Sequence, residues 1–349
     1  MSDVHNSITV LGGGVAGSVL AYLAKRGNLD VQLYDIVPKY AKACGEAIPA
    51  QISQVLLKNG VPEPPIIDKI RVFSIYGPLG KIVRRVVFEK PVWYIIDKGK
   101  WLNRLRASVG TRLVKGKQEC GSPGLSGIVF DARGPFSSEG AKIVVWQAYV
   151  ENMIGIREEA LQVVDFRYSP GLVWAFSKGD EINVGGGFVG VNNPRHRSIE
   201  ILEKIFSINN IDKYIVRENY SILTLIPRIK IFEKNCIRVG EAAGLIMSLG
   251  GEGIRPAILS AIAAYKSLKI SNNALSLDIN EYVAQIRPLI YQTRLHRLIF
   301  RVGASLGQQI IEKILGKVDE DMLEEWFSGN LGLKTKLAKL IHNIIVALL

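Results

Sequence analysis

Ile8-Thr9-Val10-Leu11-Gly12-Gly13-Gly14-Val15-Ala16-Gly17 is the stretch that decides how this chain is read. The apolar and β-branched run predicts a buried strand, the glycines a tight turn, and the residues from Val15 onward a helix. A second short strand, Val31-Gln32-Leu33-Tyr34, ends at Asp35. Gly12 allows the turn, Gly14 lets the backbone approach a pyrophosphate, and Gly17 lets the helix lie close to the sheet. The phosphates would then meet the free N–H groups at the helix start, through Val15 and Ala16. Asp35 lies about 20 residues beyond the glycines, where a carboxylate suits the hydroxyls of an adenosine ribose. Strand, turn, helix and acid together predict a dinucleotide site, for NAD or for FAD.

The rest of the chain narrows that choice. A loop with Lys42-Ala43-Cys44-Gly45-Glu46 precedes a helical pattern through Ile52, Val55 and Leu56, and Val61–Pro65 reads as a connector. Strand-like segments follow at 69–76 and 82–88, a helix at 97–109, and a short strand running into Asp131-Ala132-Arg133-Gly134. Residues 140–234 are rich in β-branched and aromatic residues separated by turn signals, which predicts an antiparallel sheet. Another buried strand at 236–239 leads to Gly240-Glu241 and to Gly250-Gly251-Glu252-Gly253, then a helix from Ile254. The expected fold is α/β, a Rossmann-like cofactor domain (1–68, 97–135, 235–270) interleaved with an antiparallel-sheet substrate domain (69–96, 136–234). A helical C-terminal region, 271–349, completes it. A plain dehydrogenase keeps its dinucleotide domain contiguous, so the interleaving favours a flavin fold.

Bulk properties set outer limits. At 349 residues, 48% hydrophobic and 22% charged, the chain suits two domains of a soluble α/β protein. No run approaches the ~20 apolar residues of a membrane span, and no leader pattern opens the chain. A cytoplasmic location is expected, with any peripheral contact on the inner membrane surface. Three cysteines without a C-x-x-C pair and four scattered histidines argue against a disulfide scaffold, a zinc site or a metal site of another kind. The net charge of +12 comes without a nucleic-acid motif, so no nucleic-acid partner is expected. It suits anionic lipid, a phosphorylated substrate, an acidic electron carrier, or simply a solvated basic surface.

Val239-Gly240-Glu241-Ala242-Ala243-Gly244 followed by Gly251-Glu252-Gly253-Ile254 resembles the V-G-D-A-A-G … G-E-G-I signature of FAD-dependent geranylgeranyl reductases, within the p-hydroxybenzoate hydroxylase-like flavoproteins. Lys42–Glu46 is similar to their K-x-C-G segment, and Asp131-Ala132-Arg133-Gly134 to their D-A-x-G segment. Lys98 stands where their acid–Arg pair has Arg, and Glu241 where they usually have Asp. Their P-x-x-Y-x-W-x-F-P motif keeps Trp174 and Phe176 here, with Leu172 for the tyrosine and Ser169 and Ser177 for the prolines.

The resemblance implies FAD held by Gly12, Gly14, Val15, Ala16, Gly17, Asp35, Cys44, Gly45, Lys98, Asp131, Gly240, Glu241, Gly251, Gly253 and Ile254. It implies chemistry at Cys44, Gly45 and Glu46, with Trp174, Phe176 and Gly187 lining an isoprenoid tunnel. Cys44 would tune the flavin, support a closing loop or give a proton, unless it is a buried packing residue. The implied reaction is reduction of isolated C=C bonds in a prenyl lipid, fed by NAD(P)H or a ferredoxin. A flavin monooxygenase or halogenase, or a flavoprotein without turnover that binds lipid or protein, are the alternatives. In the tail, Leu333, Leu337, Leu340, Ile341, Ile344, Ile345 and Leu348 share one helical face, with Lys334, Lys336 and Lys339 near its start, so this helix suits either a membrane surface or the protein's own core.

Overall fold

The computed structural model describes residues 6–39, 42–113, 118–152, 155–272 and 274–328. The stretch 333–348, His5 and His342 lie outside the described residues.

The chain opens with β1 (Ser7–Leu11), α1 (Val15–Arg26) and β2 (Asp30–Asp35), then β3 (Ala47–Pro49) and α2 (Gln51–Lys58). Next come β4 (Ile66–Ile70), β5 (Val72–Tyr76), β6 (Ile82–Val87), β7 (Trp93–Ile96), α3 (Lys98–Val109), β8 (Thr111–Leu113) and β9 (Ile128–Asp131). A strand-rich segment holds β10 (Glu139–Glu151), β11 (Glu159–Asp165), β12 (Gly171–Lys178), β13 (Glu181–Phe188), α4 (Arg195–Phe206) and β14 (Ile215–Arg228). After β15 (Phe232–Glu233), β16 (Cys236–Arg238) and α5 (Ile254–Lys266) come β17 (Leu268–Ser271) and β18 (Ala274–Leu277). The described chain closes with α6 (Ile279–Leu306), α7 (Gln308–Lys317) and α8 (Glu320–Ser328).

Two sheets organise these elements. The first has the order β15-β16-β9-β1-β2-β8, with β16, β9, β1, β2 and β8 parallel. Its central strand β1 is buried along its whole length, as a parallel strand covered on both faces must be. Helices α1 and α5 pack over it through Val19, Leu20, Ile258 and Ala261. The second sheet runs β14-β10-β13-β12-β11-β5-β6 and is antiparallel except where β5 meets β11. Its strands alternate: Trp146, Ala148, Val173 and Ala175 pack under α4 on one face, while Val145, Leu172 and Trp174 point to the other. The molecule is therefore α/β, with a Rossmann-like sheet, an antiparallel sheet and helices after them. No helix among the described residues is long and apolar enough to cross a membrane.

Three local expectations need correction. Ala47–Pro49, read as loop, is a strand because it pairs with β7. Residues 268–277, read as helix, form a hairpin in which Leu268 pairs with Leu277 and Ile270 with Leu275; Asn272, at φ +49°, supplies the turn. Cys120 and Cys236, 116 residues apart, form a disulfide. Parallel pairing sets Cys236 beside Val129 on β9 and brings it to the chain that leads into that strand.

Candidate active site

A cavity of about 660 Å³ begins at the β1–α1 turn and extends to the inner face of the second sheet. Gly12 has φ +101°, and a Cβ there would lie 2.6 Å from the Ala132 carbonyl oxygen, so only glycine fits. The Gly12 N–H donates to the Tyr34 carbonyl at 2.8 Å, fixing the turn to β2. Gly14 is the N-cap of α1 and offers no side-chain cap, so the first N–H groups of that helix are left for a ligand. Gly12, Gly14, Val15 and Ala16 all line the cavity. Gly17 does not; a Cβ on it would stand 1.9 Å from the Gly12 carbonyl oxygen, so its part is to let helix and turn touch.

Asp35 lines the same end. Its carboxylate accepts from the Gly13 N–H at 2.9 Å and the Ile36 N–H at 2.7 Å. Beside it lies Arg106 of α3, which sequence reasoning missed. Arg106 is buried, stands 3.4 Å from Asp35, and keeps Nε and Nη1 without a hydrogen-bond partner among the described residues. Such orphaned donors beside a glycine turn fit a bound anion. Lys98 also lines the cavity; it is buried at the start of α3, and its Nζ donates to the Lys42 carbonyl at 3.4 Å.

The second helix start mirrors the first. Gly253 is the N-cap of α5, again with no side-chain cap, and Gly251, at φ +61°, Gly253 and Ile254 line the cavity. Glu241 lines it too, but its oxygens are engaged: Oε1 accepts from the Thr224 N–H at 2.8 Å and Oε2 from Lys42 Nζ at 3.1 Å. Gly240 is buried behind the wall, where a Cβ would stand 2.9 Å from the Ala16 Cβ; it lets α1 and α5 converge.

Asp131 is placed differently from the expectation. It is fully buried and absent from the cavity wall. Arg133 donates to it through Nε and Nη2 at 2.9 Å each, and Ser137 Oγ at 2.9 Å, so no oxygen is turned toward a ligand. The residues after it, Ala132 to Phe136, form that part of the wall instead. Arg133 lines the cavity while its guanidinium is held in this pair.

The Cys44 loop crosses the middle of the cavity. Asn183 Nδ2 donates to the Cys44 carbonyl at 2.9 Å, and a Cβ on Gly45 would stand 2.6 Å from the Phe176 ring. The Cys44 thiol is half-buried and accepts from the Glu46 N–H at 3.3 Å. Glu46 has φ +58°, and its carboxylate pairs with Lys178 Nζ and accepts from Tyr149 Oη at 2.6 Å. Burial first, then the Glu46 charge, push the Tyr149 phenol far above its usual range. Placed among the chemical residues from sequence, Glu46 is committed to anchoring the loop.

Trp174, Phe176 and Gly187 lie together on the sheet side of the cavity, joined by Ile143, Val145 and Leu172. Trp174 Nε1 donates to Asn183 at 3.1 Å, which fixes the indole. Trp93, which sequence reasoning also missed, meets Phe176 edge-on at 5.7 Å. The four histidines were read only as scattered; His296 is buried in a separate apolar cavity, and burial, then Arg255, lower its pKa to about 3.

No protein-family model matches this chain, and no curated protein sequence does. Solved structures do. A geranylgeranyl bacteriochlorophyll reductase-like protein from Thermoplasma acidophilum is 17% identical, with a TM-score of 0.62 over 99% of this chain and 95% of that one. A 2-methyl-3-hydroxypyridine-5-carboxylic acid oxygenase is 14% identical, with a TM-score of 0.59 over 98% of each chain. A tetracycline destructase is 15% identical, with a TM-score of 0.57 over 95% of this chain and 99% of that one. Over nearly its whole length, the chain thus shares its fold with these three structures.

Proposed function

We propose that this protein is an FAD-dependent oxidoreductase that reduces C=C bonds of an isoprenoid chain. The adenosine end of FAD is assigned to Gly12–Ala16, Asp35 and Arg106, and the flavin end to Gly251–Ile254. FAD bound there would supply a hydride from its N5 atom. One observation carries the reading: a single cavity joins two uncapped helix starts to an apolar sheet face bearing Leu172, Trp174 and Phe176.

An isolated alkene has no polar atom to grip, so the chain's own residues must fix it by shape and exclude water. Trp174, tied to Asn183, and Phe176, wedged between Gly45 and Trp93, are rigid apolar surfaces suited to that task. The second alkene carbon needs a proton, and the Cys44 thiol is the group we assign to give it. Asn183 and Phe176 hold that loop from the sheet side. NAD(P)H or a ferredoxin is the expected donor of electrons, and an acidic carrier would suit the net charge of +12. The oxygenases among the structural neighbours favour hydroxylation as a second reading.

The test begins with the visible spectrum of the purified protein. Dithionite-reduced protein is then incubated with geranylgeranyl diphosphate and the lipid examined by mass spectrometry. A yellow protein and two hydrogens gained per double bond are expected, and Cys44→Ser should lower turnover by about a hundredfold or more with its spectrum intact. A colourless protein that rejects FAD overturns the reading; an oxygen atom in the product, with NADPH consumed, favours the second.

A further inference from the structure

Helix α6 runs 28 residues and buries Tyr282, Ile286, Leu289, Thr293, Phe300 and Gly303 against the protein. Its outer face repeats a different set. Arg287, Arg294 and Arg301 recur every seven residues and are exposed, and none has an ion pair or side-chain hydrogen bond among the described residues. Between them Tyr291 and Leu298, and just after them Val302, are 45%, 57% and 38% exposed. A seven-residue repeat drifts by only about 20° per heptad on a helix, so the six share one stripe. At 1.5 Å per residue the arginines span about 21 Å. No Asp or Glu occurs from Tyr282 to Leu306. Arg195, paired with Asp212 and Glu218, and Arg217, paired with Glu181, show how surface arginines elsewhere are neutralised; Arg104 and Arg228 are unpaired too among the described residues but stand singly, not in a helical row. A solvated helix mixes both signs of charge; this one, over these residues, presents cations beside apolar side chains and no anion.

We propose that this face of α6 docks on an anionic lipid bilayer. The arginine forks meet lipid phosphates, while Tyr291, Leu298 and Val302 enter the headgroup boundary. The net charge of +12 draws the protein toward such a surface before contact. Exposed leucine and valine beside the arginines favour a bilayer over nucleic acid, whose backbone offers nothing for them to enter. The proposal deepens the lipid reading by placing the bilayer, yet it needs no turnover and fails separately from it.

The full chain is mixed with vesicles of phosphatidylcholine, with or without phosphatidylglycerol, and sedimented. Binding to the phosphatidylglycerol vesicles alone is expected, weakening as salt rises. The triple variant Arg287→Glu, Arg294→Glu, Arg301→Glu should bind about a hundredfold more weakly. A control triple, Lys58→Glu, Lys90→Glu, Lys266→Glu, changes net charge equally on exposed lysines elsewhere and should bind nearly as well as the unaltered chain. The pair Tyr291→Ser, Leu298→Ser should keep the salt-sensitive binding and lose what persists at high salt. Equal losses in both triples, equal binding to both vesicles, or none to either overturn the proposal. So does a dimer that the Tyr291→Ser, Leu298→Ser pair dissociates, since the face would then belong to a second copy.

Discussion

At the end of β9, Asp131-Ala132-Arg133 folds so that the arginine reaches back and grips the aspartate two residues earlier; at the end of β11, Asp165-Phe166-Arg167 does the same. Both carboxylates are fully buried, and both take the arginine through Nε and Nη2 and its backbone N–H at 2.9–3.1 Å. What differs is the chain around them. Ala132 and Gly134 line the large cavity, whereas Phe166 packs on Phe300. Each has a second cation, Arg197 at 2.8 Å from Asp165 and Arg238 at 3.7 Å from Asp131, and Ser137 and the buried Cys120 stand at Asp131 besides. The carboxylate is thus a clamp that bends the chain leaving a strand, and only the backbone beyond it decides whether a ligand lies near. That is why an acid in a family-like segment turned out to face inward.

The comparison breaks most visibly if the clamps are removed. Asp165→Ala and Asp131→Ala each strip half-buried arginines of a fully buried carboxylate and should lower stability by about 3–5 kcal/mol in denaturant unfolding of FAD-free protein. Only Asp131→Ala should also weaken FAD binding in a titration; equal weakening by both would erase the distinction. The disulfide sharpens it further, because only the β9 clamp leans on Cys120. Cys236→Ser should cost about 2–5 kcal/mol, combining non-additively with Asp131→Ala and additively with Asp165→Ala. Smaller still, Arg133→Lys and Arg167→Lys replace a fork with a point charge, and each should cost about 1.5–3 kcal/mol. Acid supplies the mildest test. Burial acts to raise the Asp165 carboxyl, but the bonds from Arg167 and Arg197 outweigh it and hold the pKa below the usual range. A lowered folded pKa stabilises fully above the unfolded value of about 4 and is lost as pH falls through the folded one. Unfolding curves of the unaltered chain and Asp165→Ala should therefore converge below about pH 4.

What could be read from the sequence was what the backbone itself enforces. The turn at Gly12, the two glycine-started helices and the alternating strand Leu172–Phe176 follow from spacing and steric freedom along short stretches. What escaped depends on residues brought together from afar. Glu46 and Lys178 are 132 positions apart, and Glu241 and Lys42 199, so their pairing left no local trace. Arg106 looks like any helix arginine until α3 is laid beside Asp35. Trp93 sits on a four-residue strand whose neighbour, β3, reads as loop from sequence, so nothing marks it as part of the cavity wall.

The bond between Cys120 and Cys236 has a mechanical meaning as well. The chain leaves the parallel sheet after β9, builds most of the second sheet, and returns as β15 and β16. Cys120 lies just before β9 and Cys236 opens β16, so the loop that the sulfurs close holds β9 as well as those sheet strands. Tension applied at the two ends of the described chain would cross from one cysteine to the other and bypass everything between them. The strands β9 to β14, with Trp174, Phe176 and the sheet wall of the cavity, would stay slack and folded while β1, β2, β8 and β16 bore the load. Reduced protein would lose that shelter, and single-molecule stretching with and without a reductant would register it as added contour length.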